Sequence, residues 1–92
     1  MDLETILSSS CRRKILKFLA RNGPTNIMRL IVGVNGKYPQ VNSELQILQS
    51  EEIIFDKCIG RMRIVELNKE NPETGVLLQA LKILHNNEDK HH

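Results

Sequence analysis

Few residues of this 92-residue chain have the types and spacing that site chemistry requires. His85 and Asp89 stand four apart, a spacing at which one helical face can hold zinc, but a structural zinc wants about four ligands and only two are offered. His85 therefore reads as a plain surface or interface histidine. Cys11 and Cys58 lie far apart in sequence and read as buried reduced thiols, with a redox pair as the alternative. There is no nucleophile–base arrangement, no phosphate-cradling glycine loop and no paired-carboxylate site. The expectation is a protein that is not an enzyme and has no cofactor, no metal site and no small-molecule ligand. What remains is basic and polar: Arg12-Arg13-Lys14 and Lys17 early on, Lys57, Arg61 and Arg63 later, and Gln40, Asn42, Ser43 and Gln46 between them.

The balance of charge is mild. Thirteen Lys and Arg face eleven Asp and Glu, a net charge of +2, which permits nucleic-acid binding without demanding it. Hydrophobic residues are 40% and charged residues 26% of the chain, ordinary values for a folded domain. The length suits one core, and a core this small gains from oligomerising. No apolar run approaches the ~20 residues of a membrane span. The acidic opening Met1-Asp2-Leu3-Glu4 argues against a signal or transit peptide and for an intracellular protein.

The elements follow from periodicity. Leu3, Leu7, Cys11, Ile15 and Leu19 recur every four residues, widened by Ile6, Leu16 and Phe18, which is a helical stripe. Ser8-Ser9-Ser10 interrupts it, because serine caps helices better than it extends them. A short lead-in near 2–7 and a helix near 10–21 are expected, ended by Asn22-Gly23-Pro24. Thr25 or Asn26 caps a second helix with Ile27, Leu30, Ile31 and Val34 inward, and Asn35-Gly36 makes a turn. A third helix near 39–51 has Pro39 in its first turn and Val41, Leu45 and Leu48 inward, with Ile47 beside them. The pattern then becomes extended over 53–59 and 62–67 around Gly60-Arg61, a β-hairpin. Asn71-Pro72-Glu73 opens a last helix over about 72–86. Leu77, Leu81 and Leu84 lie on one side of it and Val76, Ala80 and Ile83 on another. A lone surface helix needs one apolar stripe, so the second points to a partner chain. Residues 87–92 are expected to be a disordered tail, with His91-His92 set aside as a candidate expression-tag remnant.

Leu7-Ser8-Ser9-Ser10-Cys11-Arg12-Arg13-Lys14-Ile15-Leu16 resembles the opening helix of the winged helix–turn–helix regulators of bacteria and archaea. Gln40-Val41-Asn42-Ser43-Glu44-Leu45-Gln46-Ile47-Leu48-Gln49-Ser50-Glu51-Glu52-Ile53-Ile54 is similar to their recognition helix running into the first wing strand. The resemblance spans roughly residues 6–67 and rests mostly on apolar spacing. It implies one mainly α domain over 1–92: a three-helix core, a small β-hairpin wing and a C-terminal dimerisation helix.

The resemblance also implies a function: a homodimeric, cytoplasmic, nucleoid-associated transcriptional regulator of a prokaryote that binds double-stranded DNA. The third helix would enter the major groove, with Gln40, Asn42, Ser43 and Gln46 on its outward face and Lys37 and Tyr38 just before. Gln and Asn suit this, since each pairs bidentately with adenine. Lys57, Arg61 and Arg63 of the wing would meet phosphates or the minor groove. Arg29, with the helix start at Thr25 and Asn26, would meet phosphate. Arg12, Arg13, Lys14 and Lys17 read as a solvated coat on the first helix. Val76, Leu77, Ala80, Leu81, Ile83 and Leu84 would form the dimer interface. Two departures stand out. The family often places Arg or Lys mid-helix, where this chain has Ser43 and Glu44, and a carboxylate near phosphates weakens binding. Metal-sensing relatives carry paired cysteines in that helix, and none is present. The alternative is a winged-helix protein-interaction module in a larger assembly.

Overall fold

Side-chain caps set the helix boundaries. In the computed structural model, which describes residues 2–89 with side chains described through 84, Asp2 caps α1 (Leu3–Leu7) by accepting from the Glu4 amide at 3.1 Å. Ser9 caps α2 (Ser10–Asn22) through the Arg12 amide at 3.2 Å, so the serine run separates two helices as its chemistry predicts. Asn26 caps α3 (Ile27–Gly33) through the Arg29 amide at 2.9 Å. α4 (Tyr38–Ser50) carries Pro39 in its first turn, where no amide donor is missed. β2 (Ile54–Ile59) and β3 (Met62–Leu67) follow, and then α5 (Pro72–Asp89). At the start of α5 the Asn71 side chain accepts from the Glu73 amide at 3.0 Å. Gly33 is fixed by packing, because a Cβ there would run into the Phe18 ring.

The extended part is more than a hairpin. Residues Thr25–Asn26 form a two-residue strand, β1, and the antiparallel sheet runs β1-β3-β2. Thr25 pairs with Val65 and Asn26 with Ile64. Two residues carry no periodicity, so this strand was invisible in the sequence. Tertiary pairing with β3 creates it. Ile54, Val65 and Leu67 turn inward onto a core built from Ile15, Leu16, Leu19, Leu30, Val41, Leu45 and Leu48. Phe55, Lys57, Ile59, Met62, Ile64 and Glu66 occupy the other face, as strand alternation and the pairing register require.

α5 corrects two expectations. Leu77 and Leu81 are buried against this chain's own core, packed beside α2, so neither is an interface residue. The stripe they form is the one every amphipathic helix needs to dock on its own domain. Val76, Ile83 and Leu84 remain exposed, with Ala80 half-buried, and these four form the unpartnered face. The helix also continues to Asp89 rather than ending near 86; no proline or glycine interrupts Asn86-Asn87-Glu88-Asp89, and polar residues sustain a helix already started. Residues 90–92, including His91 and His92, and the His85 and Asp89 side chains lie outside what is described. Among the described residues no helix is long and apolar enough to cross a membrane.

Candidate nucleic-acid interface

Burial of Val41, Leu45 and Leu48 fixes the rotation of α4 and so decides which residues look outward. Ser43 and Gln46 are at the centre of the outward side. Gln40 is exposed and Asn42 half-buried on its flanks. Among the described residues, none of these four side chains makes a hydrogen bond or ion pair within the chain. Ile47, read from sequence as lying beside the inner stripe, is exposed on the same side. It falls two residues after Leu45, off the 41/45/48 row, and that offset was the available signal.

Glu44, the carboxylate that would weaken DNA binding from this helix, is turned away from the outward side. Its carboxylate meets Arg12 Nε of α2 at 2.6 Å, both side chains largely buried. The N–H is not aligned along the contact, so this is an ion pair rather than a well-formed hydrogen bond. Arg12 also donates to the Thr5 carbonyl at 2.8 Å, and Arg13 donates to the Leu7 carbonyl. These two arginines are therefore braces between α1, α2 and α4, not a solvated coat. Cys11 is buried beside them; burial first, then Glu44, pushes its thiol above the ordinary range. Cys58, expected to be buried, is exposed on β2.

The wing redistributes its charges internally. Asp56, 7% exposed, takes both arms of Arg63: Nε to Oδ1 at 2.9 Å and Nη2 to Oδ2 at 2.6 Å. The remaining Arg63 nitrogen donates to the Tyr38 hydroxyl in the first turn of α4, at 3.1 Å. These bonds to Asp56 raise the Arg63 guanidinium further above its ordinary value. Arg63 is thus not a free wing cation. It clamps the wing to the start of α4, and Tyr38 is its partner rather than an independent contact. Lys57 pairs with Glu66 at 2.9 Å and lies 5.9 Å from the centre of the Phe55 ring. That pair is exposed, worth little, and readily exchanged for another anion. Arg61, at the exposed turn, makes no ion pair among the described residues.

Two expected residues near the start of α3 have other work. Thr25 is buried in β1. Asn26 spends its carbonyl oxygen on the α3 cap. Neither is placed to meet phosphate as the sequence suggested: Thr25 points into the sheet, and the cap already satisfies one of the few free amides of a seven-residue helix. Arg29 and Lys37 are exposed and without an ion pair among the described residues. Of the cations expected to meet DNA, Arg29, Lys37 and Arg61 have no ion pair among the described residues.

This arrangement can be compared with known proteins. No protein-family model matches the sequence, and no curated protein matches it. Among solved structures, the AntR antimony-specific transcriptional repressor aligns over 98% of this chain and 78% of its own, with TM-score 0.78 and 22% identity. The chain has the winged helix–turn–helix fold. A homodimeric winged helix–turn–helix DNA-binding domain from Mycobacterium bovis, Mb0332, aligns over 98% of this chain and 81% of its own, with TM-score 0.75 and 18% identity. The DNA-binding protein Sso10a-2 of Sulfolobus solfataricus aligns over 86% of each chain, with TM-score 0.61 and 20% identity. At such identities the likeness is one of fold. In winged-helix terms α3 and α4 form the helix–turn–helix, and the hairpin β2–β3 is the wing.

Proposed function

We propose that this winged helix binds double-stranded DNA as a homodimeric transcriptional regulator rather than acting as an enzyme. The observation that carries the reading is α4 itself: an outward side of Gln40, Asn42, Ser43, Gln46 and Ile47 whose polar groups have no partner among the described residues, and its one carboxylate, Glu44, turned inward to Arg12. Amide side chains at such positions pair with adenine, and an apolar one meets the thymine methyl. Arg29, Lys37 and Arg61 supply cations for phosphate. The exposed Val76, Ile83 and Leu84 with Ala80 supply a face for a second copy. The repressor and DNA-binding roles of the proteins sharing this fold support the same reading. A prokaryotic cytoplasm, at the nucleoid, is where such a regulator works.

Selection from randomised duplexes tests sequence reading. The expected result is an inverted repeat whose half-sites are ~10 bp apart, one turn of the duplex, matching a two-fold dimer. Recovery of unenriched sequence contradicts it. Arg61→Ala is expected to weaken binding evenly on all duplexes and to reduce the salt slope by about one counterion. A loss confined to one sequence would instead make Arg61 a base reader. A second reading, a protein-interaction module, has Met28 and Val32 in its favour, both exposed on α3. No binding to duplex DNA at low salt would favour it.

A further inference from the structure

The wing ends in an apolar pair. Ile59 and Met62 are directly opposed across the Gly60-Arg61 turn and are 61% and 54% exposed. Gly60 takes a φ of 61°, the left-handed conformation that a two-residue hairpin loop wants at its first position. The turn is therefore tight, and the pair forms a narrow apolar edge with a cation at its tip. Leaving two large apolar side chains at the end of a hairpin has no use in the core, because neither touches it.

We infer that Ile59 and Met62 are a wedge that the wing inserts between base steps in the minor groove of duplex DNA. The inference rests on the DNA-binding reading above and deepens it. Position is the first argument. Arg63, next to Met62 in β3 but on the opposite face of the strand, is bonded to Tyr38 in the first turn of α4 at 3.1 Å, so the hairpin tip sits beside that turn with the apolar pair on its far face. The tip is thereby held beside the end of the helix whose outward polar groups have no partner among the described residues, and a groove adjoining the one that helix enters is the minor groove. Charge is the second. Arg61 stands exposed between the two apolar residues with no ion pair among the described residues, and the minor groove is the region of strongest negative potential on narrow-groove DNA. Chemistry is the third. Ile and Met are among the side chains that partly unstack a base step and kink the duplex. The favoured step is pyrimidine–purine, which unstacks most easily, so the wedge selects a flexible step at a position that no hydrogen bond reads.

The test is ring closure. A linear duplex of ~150 bp, about one persistence length, closes slowly under ligase unless a protein bends it. The full chain is compared with the double variant Ile59→Thr/Met62→Thr, which keeps strand-favouring residues and removes the apolar edge. Binding of both proteins to the same duplex is followed by anisotropy across a salt series. The wild-type chain is expected to raise closure about tenfold, and the variant to bind with the same salt slope and leave closure near the level of bare DNA. Wild-type binding without faster closure overturns the wedge, as does a variant that closes rings as well as wild type. A variant with half the wild-type sedimentation mass also overturns it, because the pair would then sit against a second protein copy. If wild type does not bind DNA at all, the DNA-binding reading falls and the wedge falls with it. Circular dichroism of the double variant, expected to match wild type, confirms that any change is not loss of fold.

Discussion

Leu81→Asp is expected to unfold this protein, whereas Ile83→Asp is expected to leave it folded and to separate the proposed dimer. Both residues lie on α5, two positions apart, and both were assigned to one interface by sequence. The structure separates them: Leu81 is 3% exposed and Ile83 is 61% exposed. At Leu81 a carboxylate would replace a core leucine at the edge of a cleft that Lys17, Arg21 and Lys82 also line. Loss of the side chain's packing alone costs about 2–5 kcal/mol, and the buried charge adds to it. A small domain has about 5–15 kcal/mol in total, so Leu81→Asp is expected to abolish the cooperative thermal transition. At Ile83 the charge faces water in the single chain and costs little there. In the proposed dimer it would be desolvated at the contact with a second copy, and mass from sedimentation should fall to that of one chain with helix content kept. An Ile83→Asp protein that keeps the wild-type mass would place the dimer contact elsewhere.

The second large effect has an unexpected sign. Asp56→Asn removes a negative charge beside the candidate DNA face, and simple electrostatics then predicts tighter binding. The Asp56–Arg63–Tyr38 clamp predicts the reverse. Asp56 is nearly buried and grips Arg63 with two bonds of 2.9 and 2.6 Å, while Arg63 holds Tyr38. Without the carboxylate the guanidinium is left half-buried and undercompensated, which costs about 2–3 kcal/mol, below the figure for a fully buried pair. The wing then no longer has a fixed position relative to α4. DNA affinity is expected to fall about tenfold, equivalent to ~1.4 kcal/mol. Because Arg63 is bound to Asp56 rather than to phosphate, Arg63→Gln should reduce affinity with an unchanged salt slope. The double variant Asp56→Asn/Arg63→Gln should recover part of the stability, since an amide pair can replace the ion pair. Tighter DNA binding by Asp56→Asn would show that Asp56 only quenches Arg63, and the clamp would have no positioning role.

Those two effects also mark where the sequence was legible. The helices and strands were readable because their apolar periods of 3.6 and 2 are written in the chain, and the caps Ser9, Asn26 and Asn71 announce their starts. Period identifies a helix face without saying what covers it, which is why Leu77 and Leu81 were grouped with Ile83. β1 was not legible, since two residues have no period and Thr25 owes its burial to Val65 opposite. The Arg12–Glu44 pair depended on how α2 crosses α4, a tertiary fact, so both residues were given surface roles. The wing pairs were within reach. With Gly60-Arg61 as the turn, Ile59 opposes Met62 and Cys58 opposes Arg63, which sets Asp56 diagonally across from Arg63, and likewise Lys57 from Glu66. Counting outward from the turn would have shown that Arg61 alone of the three wing cations lacks a neighbouring carboxylate.

The most direct measurement is fluorescence anisotropy of a labelled mixed-sequence duplex of about 30 bp titrated with the full chain, from low to physiological salt, an interval over which phosphate contacts lose much of their strength. A homodimeric DNA-binding protein is expected to bind at low salt and to weaken steeply as salt rises, with a log–log slope of several counterions. Absence of binding at the lowest salt, with the protein folded and dimeric, would contradict the DNA-binding reading.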